Sequence, residues 1–142
     1  MNQQLKTRRK GLNGIRRAPR FILRKVFDDL HRQIGRRHEE DALRSLQPEN
    51  GRPLPDWLHR AVPASGTEDH HGIDIVVHTD VGKLYLQIKS SQYGVRKFLA
   101  KHTKGNIIPY IVRTDDLTIL RERLLTRLTK ERERIIAIRS GR

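Results

Sequence analysis

The sequence predicts one α/β domain in which helix, three strands, helix, strand and helix follow one another around a mixed sheet. Three observations support this prediction. The 142 residues suffice for one domain but not for a second globular unit. Two apolar, β-branched stretches at 72–79 and 83–89 are separated only by a short turn. Apolar residues at helical spacing precede and follow these two stretches.

The first 20 residues are the most basic part of the chain. They contain seven Lys and Arg, two Gly, one Pro and no acidic residue, a composition that cannot bury a core. We interpret them as a flexible arm that binds nucleic acid through Arg8, Arg9, Lys10, Arg16, Arg17 and Arg20. A solvated tail and a cleaved organellar presequence are the alternatives.

Two helices are expected next. From Phe21, apolar residues fall at 22, 23, 26, 27, 30 and 34, which predicts a helix of about 14 residues that ends near Gly35. A second helix is predicted from Arg36 to Leu46, ending before Pro48.

The remaining elements are predicted from composition and spacing. In chain order they are a loop at 47–56, a strand at 57–62, a loop at 65–71, the two strong strands with a turn at 80–82, a helix at 92–102, a strand at 107–112 and a long basic helix at 117–138. Either Asp115 or Asp116 would cap the last helix. Together with the preceding helices they form one domain, residues 21–142.

Charge and composition restrict the function. The net charge of +14 suits a polyanionic partner better than a small neutral substrate. Cysteine is absent, so a disulfide frame and a thiolate zinc site are excluded and a reducing compartment is favoured. The sequence lacks an apolar run of the roughly 18 residues needed to cross a bilayer. We therefore expect a soluble cytoplasmic protein with no membrane partner, and organellar targeting stays open.

The apolar pattern of the two strong strands predicts their register. Alternate positions of a strand share a face, so each strand has one apolar triple, Ile73, Ile75 and Val77 in the first and Leu84, Leu86 and Ile88 in the second. Burying both triples on one side requires paired residues whose numbers sum to an odd value. That register puts Asp74 on the same side as Gln87 and Lys89, opposite one of the two.

Such a group of side chains suits a divalent metal beside a phosphate. The Asp74 carboxylate, the Gln87 side-chain oxygen and the main-chain carbonyl of Ile88 are hard oxygen donors of the kind that Mg²⁺ or Mn²⁺ prefers. Glu39 or Glu40 would add a donor from the preceding helix. Lys89 would orient and deprotonate the attacking water and offset charge on the phosphate. Asp69, a loop acid just upstream of Asp74, would approach the same metal.

The structural alternative is an ordinary hairpin whose polar face is only solvated. In that reading Asp74 and Lys89 form an exposed ion pair of little energetic value.

The segments GIDIVV at 72–77 and LQIKSS at 86–91 resemble the PD-(D/E)xK nuclease superfamily. The resemblance runs from Gly35 to Val112, includes the helix GRRHEEDALRSL, and is closest in kind to small Holliday-junction-resolvase-type and restriction-like nucleases. It implies a restriction-endonuclease-like αβββαβ sandwich with a core at about 35–112 and a central mixed sheet. The N-terminal basic arm and helix and the long C-terminal helix would be additions to that core.

The resemblance also implies roles for individual residues. Asp74 would be the metal-bridging carboxylate, Gln87 would occupy the second acidic position, Lys89 would be the catalytic lysine, and Glu39 or Glu40 would be the helix acid. Two positions depart from the family pattern. Ile73 stands where proline is usual, and Gln87 replaces the usual Asp or Glu.

The sequence thus predicts a metal-dependent endonuclease that hydrolyses phosphodiester bonds in DNA, selects DNA by shape and acts as a homodimer. Ser90 and Ser91 would bind phosphate oxygens, and the basic residues of the last helix, Arg121 and Arg132 among them, would add affinity or form a plain exposed face. DNA is favoured over RNA. The alternatives are a non-catalytic nucleic-acid-binding protein that kept the fold, and an RNA-associated or ribosome-associated basic protein.

Overall fold

The structure is a computed structural model that describes residues 20–49, 52–101 and 107–141, with the backbone alone at 98–101. Its elements are α1 (Arg20–Ser45), β1 (Leu58–Pro63), α2 (Thr67–His70), β2 (Ile75–Thr79), β3 (Gly82–Lys89), α3 (Gln92–Lys101), β4 (Ile107–Ile111) and α4 (Leu117–Arg139). The predicted α/β class and the long C-terminal helix are confirmed. The single-turn helix α2 lies within the stretch that was predicted to be a loop.

The four strands form one mixed sheet in the order β1-β2-β3-β4. The first three strands pair antiparallel, whereas β4 pairs parallel to β3, and α3 makes the crossover that a parallel pair requires. Ile75 pairs with Leu86 and Val77 pairs with Leu84. The residue numbers of each pair sum to an odd value, so the predicted register parity is confirmed.

The main core lies between one face of the sheet, the C-terminal half of α1, and α4. Leu120, Leu124 and Leu128 of α4 are fully buried there, about one turn apart, which agrees with the helical spacing of apolar residues after the two strong strands. Asp116 begins the helix, because its side-chain Oδ1 accepts hydrogen bonds from the N–H groups of Thr118 and Ile119 at 2.9 and 3.2 Å. Of the two predicted capping residues, the structure selects Asp116.

Helix α1 is one helix of 26 residues, so the prediction of a break near Gly35 was wrong. A single glycine costs about 1 kcal/mol in a helix interior, which the good helix formers on both sides outweigh. The two halves of α1 differ in burial. Ala42 and Leu46, near the C-terminal end, are 0 % exposed, whereas Phe27 in the N-terminal half is 58 % exposed. No helix in the described ranges is long and apolar enough to cross a membrane.

Two arginines of α4 stabilise the fold. The Arg121 guanidinium is buried and donates to the carbonyls of Gln47 at 2.9 Å, Arg52 at 2.7 Å and Pro53 at 2.9 Å. Its assignment to an exposed basic surface was therefore wrong, because its guanidinium donors are directed at main-chain carbonyls within the domain. Arg132 donates two hydrogen bonds to Asp80, at 2.9 and 2.7 Å, which leaves it less available to an outside partner.

Candidate functional site

Asp74 lies at the point where β2 begins. It directly precedes Ile75, the first residue of the β2–β3 ladder. Its main-chain N–H donates to the carbonyl of Leu86 at 2.8 Å, and its main-chain carbonyl accepts from the N–H of Ala64 at 2.9 Å. Its side-chain Oδ2 accepts from the N–H of Ile88 at 2.6 Å. The Asp74 carboxylate thus accepts the hydrogen bond that a main-chain carbonyl would accept if the β2–β3 ladder continued beyond Ile75.

The same bond orients the carbonyl of Ile88. In a β-strand the N–H and C=O of one residue point toward the same neighbouring strand. Because the N–H of Ile88 reaches Asp74, regular strand geometry directs the Ile88 carbonyl to the same edge. A main-chain oxygen and a carboxylate therefore face the opening between β2 and β3.

Gln87 precedes Ile88 and is only 7 % exposed. Its side-chain Oε1 is fully buried and has no hydrogen-bond partner among the residues that the structure describes. An unpaired buried acceptor costs about 1–3 kcal/mol, so such an atom is usually found beside a donor, a water molecule or a cation. The unpaired oxygen fits a metal-binding role for Gln87.

Glu39 reaches the site from α1. Its pKa is raised to about 7, first by burial and then by the carboxylates of Asp74 and Asp69, while Lys89 and Arg36 act in the opposite direction. These causes mean that Asp74, Asp69, Lys89 and Arg36 lie within electrostatic reach of Glu39. Glu39 is therefore a partly desolvated carboxylate in surroundings that favour its neutral form, and a bound cation would favour its ionised form instead.

The pKa of Asp74 is also raised. Burial is the main cause, and Asp69 adds to it, whereas the N–H of Ile88 and the ammonium of Lys89 lower the pKa. Asp69 lies on α2 and is exposed, so its carboxylate acts on both buried acids from the solvent side. The field at the site is negative, and Lys89 offsets it in part.

A small cavity of about 120 Å³ opens at this point, large enough for several water molecules. Its lining residues are Glu39, Glu40, Leu43, Pro63, Asp74 and Ile75. Glu40 is exposed, whereas Glu39 is half-buried and its pKa responds to Asp74. Both candidate helix acids line the cavity, and Glu39 is the more buried of the two.

Lys89 ends β3 and lies against the start of α3. A Cβ added to Gly94 would stand 3.4 Å from Cδ of Lys89, so the aliphatic part of the lysine passes close over this glycine. The hydroxyl of Ser91 accepts from the N–H of Gly94 at 3.2 Å, which caps α3. Gly94 therefore leaves room for the lysine side chain at the beginning of α3.

His38 is a neighbour of the site that the sequence reasoning missed. Its Nδ1 lies 2.9 Å from the hydroxyl of Ser90, so a hydrogen bond joins α1 to the residue after Lys89. The two serines predicted to bind phosphate thus have intramolecular partners in the structure, Ser90 in α1 and Ser91 in α3. The sequence signal for His38 was its position directly before Glu39.

Of the arm residues predicted to bind nucleic acid, the structure describes only Arg20. Arg8, Arg9, Lys10, Arg16 and Arg17 lie outside the described residues. Arg20 is the first residue of α1 and is exposed. At 1.5 Å per residue it lies about 28 Å along the helix from Glu39, so it contacts a different part of any partner.

In the described ranges, no group of three His, Asp or Glu side chains is arranged to hold a metal ion without other donors. The candidate donor set is instead mixed. It combines the carboxylates of Glu39 and Asp74 with the neutral oxygens of Gln87 and Ile88. Hard divalent cations such as Mg²⁺ accept carboxylate, amide and main-chain oxygens together, so the residues present fit such an ion.

The fold is thus a mixed α/β domain, and its candidate site is an acidic cavity at the start of β2, with Lys89 within electrostatic reach of Glu39 and Asp74. Gln87 and Lys89 are not among the residues that line the cavity. Comparisons of the chain with protein-family models, with curated proteins and with solved structures found no match. The functional conclusion therefore rests on the site and on the charge of the chain.

Proposed function

We propose that the protein is a metal-dependent endonuclease of the PD-(D/E)xK superfamily that hydrolyses phosphodiester bonds in DNA. The observation that supports this most is the electrostatic coupling of Glu39 and Asp74 with Lys89. The unpaired buried oxygen of Gln87, the residue before Ile88, adds to it. The order of helix, three strands, helix and strand in the described part of 35–112 agrees with a restriction-endonuclease-like core.

Mg²⁺ or Mn²⁺ is the cofactor that the donor set fits. Asp74, Glu39, the Oε1 of Gln87 and the carbonyl of Ile88 would hold the ion. When bound, the ion supplies Lewis-acid stabilisation of the charge that develops on the phosphate. The carboxylate of Asp74 is already fixed by the N–H of Ile88, so binding would require little reordering of this side chain.

Lys89 has a separate role in this proposal. Its ammonium interacts with both buried carboxylates, and it is the cation closest in sequence to the donor oxygens of Gln87 and Ile88. There it would orient the attacking water, help to remove its proton and offset the negative charge of the transition state. Gly94 leaves space for the stem of this lysine, which favours a defined position for the ammonium.

The composition supports a nucleic acid that is held by its backbone. The net charge is +14, and aromatic residues make up only 5 % of the chain. A basic surface with few aromatic side chains suits phosphate contacts better than base stacking on a single strand. We therefore infer a duplex or branched DNA substrate that is selected by shape, with binding that weakens as the salt concentration rises.

A cleavage assay tests the proposal. Supercoiled plasmid and four-way junction DNA are incubated with the protein and Mg²⁺ or Mn²⁺, and cleavage is followed on gels. We expect cleavage by the wild type and a loss of about 100-fold or more in Asp74→Ala and Lys89→Ala, because each change removes a group that acts in the transition state. Glu39→Gln should also lose activity, whereas the neighbouring change Glu40→Gln is the matched control and should retain it.

The proposal of a nuclease fails if the wild type cleaves none of these substrates, or if Asp74→Ala and Lys89→Ala cleave as fast as the wild type.

One observation favours a second candidate, a nucleic-acid-binding protein without catalysis. The position of the second acid is held by the neutral Gln87, which binds a cation less firmly than a carboxylate. That candidate predicts DNA binding without cleavage in the wild type, and loss of binding when residues 1–19 are removed. A preference for structured RNA in competition experiments would favour an RNA-associated protein.

A further inference from the structure

Three basic side chains form a row across the sheet, on the face that is turned away from the core. Arg60 of β1 pairs with His78 of β2, and His78 pairs with Lys83 of β3. Paired residues of antiparallel strands lie side by side on one face, with Cβ atoms about 4.5–5.5 Å apart. The adjacent pair on the core face, Val77 with Leu84, is buried, whereas Arg60 and Lys83 are exposed. The three side chains, hereafter the basic row, therefore project from the face opposite the core.

The members of the basic row act on one another electrostatically. The pKa of His78 is lowered, first by burial and then by the charges of Arg60 and Lys83, whereas Glu68 acts in the opposite direction. Like charges that face each other across two strands destabilise a sheet. Among the ion pairs of the described residues, Lys83 contacts Glu68 at 3.9 Å, and neither Arg60 nor His78 takes part in one. The basic row thus has more positive charge than its acidic neighbour offsets.

This concentration of charge is local. Residues 38–120 contain ten Lys and Arg and eleven Asp and Glu, so this part of the chain has no overall positive excess. Protection of a sheet edge explains only one member of the basic row. Arg60 lies on the edge strand β1, where a charged side chain hinders pairing with another chain, but His78 and Lys83 lie on inner strands. An anionic partner explains all three.

The basic row lies on the same face of the sheet as the candidate site. The main-chain bonds of Asp74 to Leu86 and Ala64 extend the strand through Asp74. His78 follows Asp74 by four residues, an even number, so strand alternation puts both side chains on one face. At 3.3 Å per residue the two lie about 13 Å apart, less than half a turn of B-form DNA. One duplex is therefore long enough to contact both.

We propose that the basic row binds the sugar-phosphate backbone of the DNA that occupies the candidate site. Neighbouring strands lie about 4.8 Å apart, so the basic row is about 10 Å long. Each strand of a duplex has one phosphate per 3.4 Å of helix axis, so this length corresponds to about three phosphates. Arg60 and Lys83 donate to phosphate oxygens, and His78 between them adds a ring N–H. The inference rests on the proposed function, because it takes DNA as the partner.

Binding of DNA without cleavage tests this proposal. The full chain is titrated into a fluorescein-labelled duplex in EDTA, and fluorescence anisotropy gives the dissociation constant at several salt concentrations. Arg60→Gln and Lys83→Gln should each weaken binding about 3- to 10-fold. Each should also reduce the slope of log affinity against log salt by about 1, because one phosphate contact is lost.

Arg52→Gln is the matched control for these two variants. The Arg52 side chain is exposed and donates to Thr118 at the start of α4, which packs against the core face of the sheet. The control removes the same charge on the other side of the sheet, so its affinity and salt slope should stay close to those of the wild type. Circular dichroism should show the wild-type fold in all three variants, because the changed side chains are exposed.

Glu68 allows a test of opposite sign. Its carboxylate contacts Lys83, so Glu68→Gln removes a group that repels phosphate and releases the lysine for the DNA. This variant should bind the duplex about 3-fold more tightly. Glu49→Gln, at an exposed position whose main chain pairs with Arg52, is its control and should bind as the wild type does. Misfolding does not produce tighter binding, so the gain separates recognition from damage to the fold.

The outcomes distinguish this proposal from the proposed function. If the wild type binds the duplex and the variants of Arg60, Lys83 and Glu68 bind it equally well, the basic row is not a DNA site, and the nuclease proposal is unaffected. Variants that weaken binding of structured RNA but not of DNA would also overturn the proposal. A wild type that binds no DNA overturns both proposals. Binding that depends on the basic row, in a wild type that cleaves nothing, supports this proposal and refutes the nuclease.

Discussion

The side-chain Oδ2 of Asp74 accepts a 2.6 Å hydrogen bond from the main-chain N–H of Ile88, across the end of the two central strands. This bond both closes the sheet where β2 begins and orients a carboxylate and a carbonyl toward the same opening. It lowers the pKa of Asp74 against the effect of burial, and so favours the ionised form. Strand pairing and the candidate site therefore depend on one contact.

Replacing Asp74 should separate its structural and chemical roles. Asp74→Asn retains an oxygen that can accept from the N–H of Ile88, whereas Asp74→Ala leaves that N–H without its partner. We expect Asp74→Ala to lose about 1–3 kcal/mol of unfolding free energy and Asp74→Asn to lose less. Both should lose the stabilisation by Mg²⁺. Urea titrations with and without Mg²⁺ measure both quantities, and equal losses in the two variants would contradict the structural role.

Gln87 should stabilise the metal-bound protein at the expense of the metal-free one. Its buried Oε1 has no partner among the described residues, so Gln87→Met, which removes the polar group at similar volume, should raise the unfolding temperature without metal. The same change should reduce the rise in unfolding temperature on addition of Mn²⁺. Thermal unfolding with EDTA and with Mn²⁺ tests this. A variant that is less stable in EDTA would indicate that Oε1 is already satisfied.

The raised pKa of Glu39 predicts a dependence of stability on pH. The unfolded chain releases this proton near pH 4.5, whereas the folded protein retains it to about pH 7. The folded state therefore binds more protons between these values, and the contribution of Glu39 to stability falls as pH rises from 4.5 to about 7. Glu39→Gln removes this loss.

The measurement is the difference in unfolding free energy between Glu39→Gln and the wild type at a series of pH values. It should grow in favour of the variant up to about pH 7 and then stay constant. Mg²⁺ should stabilise the wild type more above pH 7 than well below it, because the cation binds the ionised carboxylate. A difference that does not change with pH would show that Glu39 titrates normally.

Arg121 should be among the most important polar residues for stability. Its buried guanidinium donates to three carbonyls of the 47–53 segment. Arg121→Met would remove the guanidinium donors of these three carbonyls, of which, among the described residues, only that of Arg52 also accepts from the N–H of Glu49, and should cost about 2–4 kcal/mol of unfolding free energy. Arg123→Met, at an exposed position of the same helix, is the matched control and should change stability by less than about 0.5 kcal/mol. Equal effects of the two changes would contradict this account.

Features that follow from local periodicity could be predicted from the sequence. The pairing parity of β2 and β3 and the stripe of α4 both depend on alternation or helical spacing, which the residues display directly. The continuity of α1 through Gly35 could not be predicted, because the cost of one glycine is close to the gain from its neighbours. Periodicity also revealed the apolar residues in the N-terminal half of α1, but not that they are exposed.

The candidate site, like the fold, could be predicted from the sequence only in part. Parity alone placed Asp74, Gln87 and Lys89 on one side, but the choice between Glu39 and Glu40 depends on the rotation of α1 relative to the sheet, which a sequence does not display. The burial of Arg121 could not be predicted either, because it depends on how α4 packs against the rest of the domain. Its carbonyl partners lie in a loop that is distant in sequence.

The unbroken length of α1 has a consequence for geometry. Its first residue, Arg20, lies about 28 Å along the helix axis from Glu39, at 1.5 Å per residue. Because the helix continues through Gly35, the orientation of its buried C-terminal half also fixes where its exposed N-terminal half stands relative to the candidate site. A break at Gly35 would uncouple the two, so this glycine lies at the point where the site and the N-terminal end of the helix are joined.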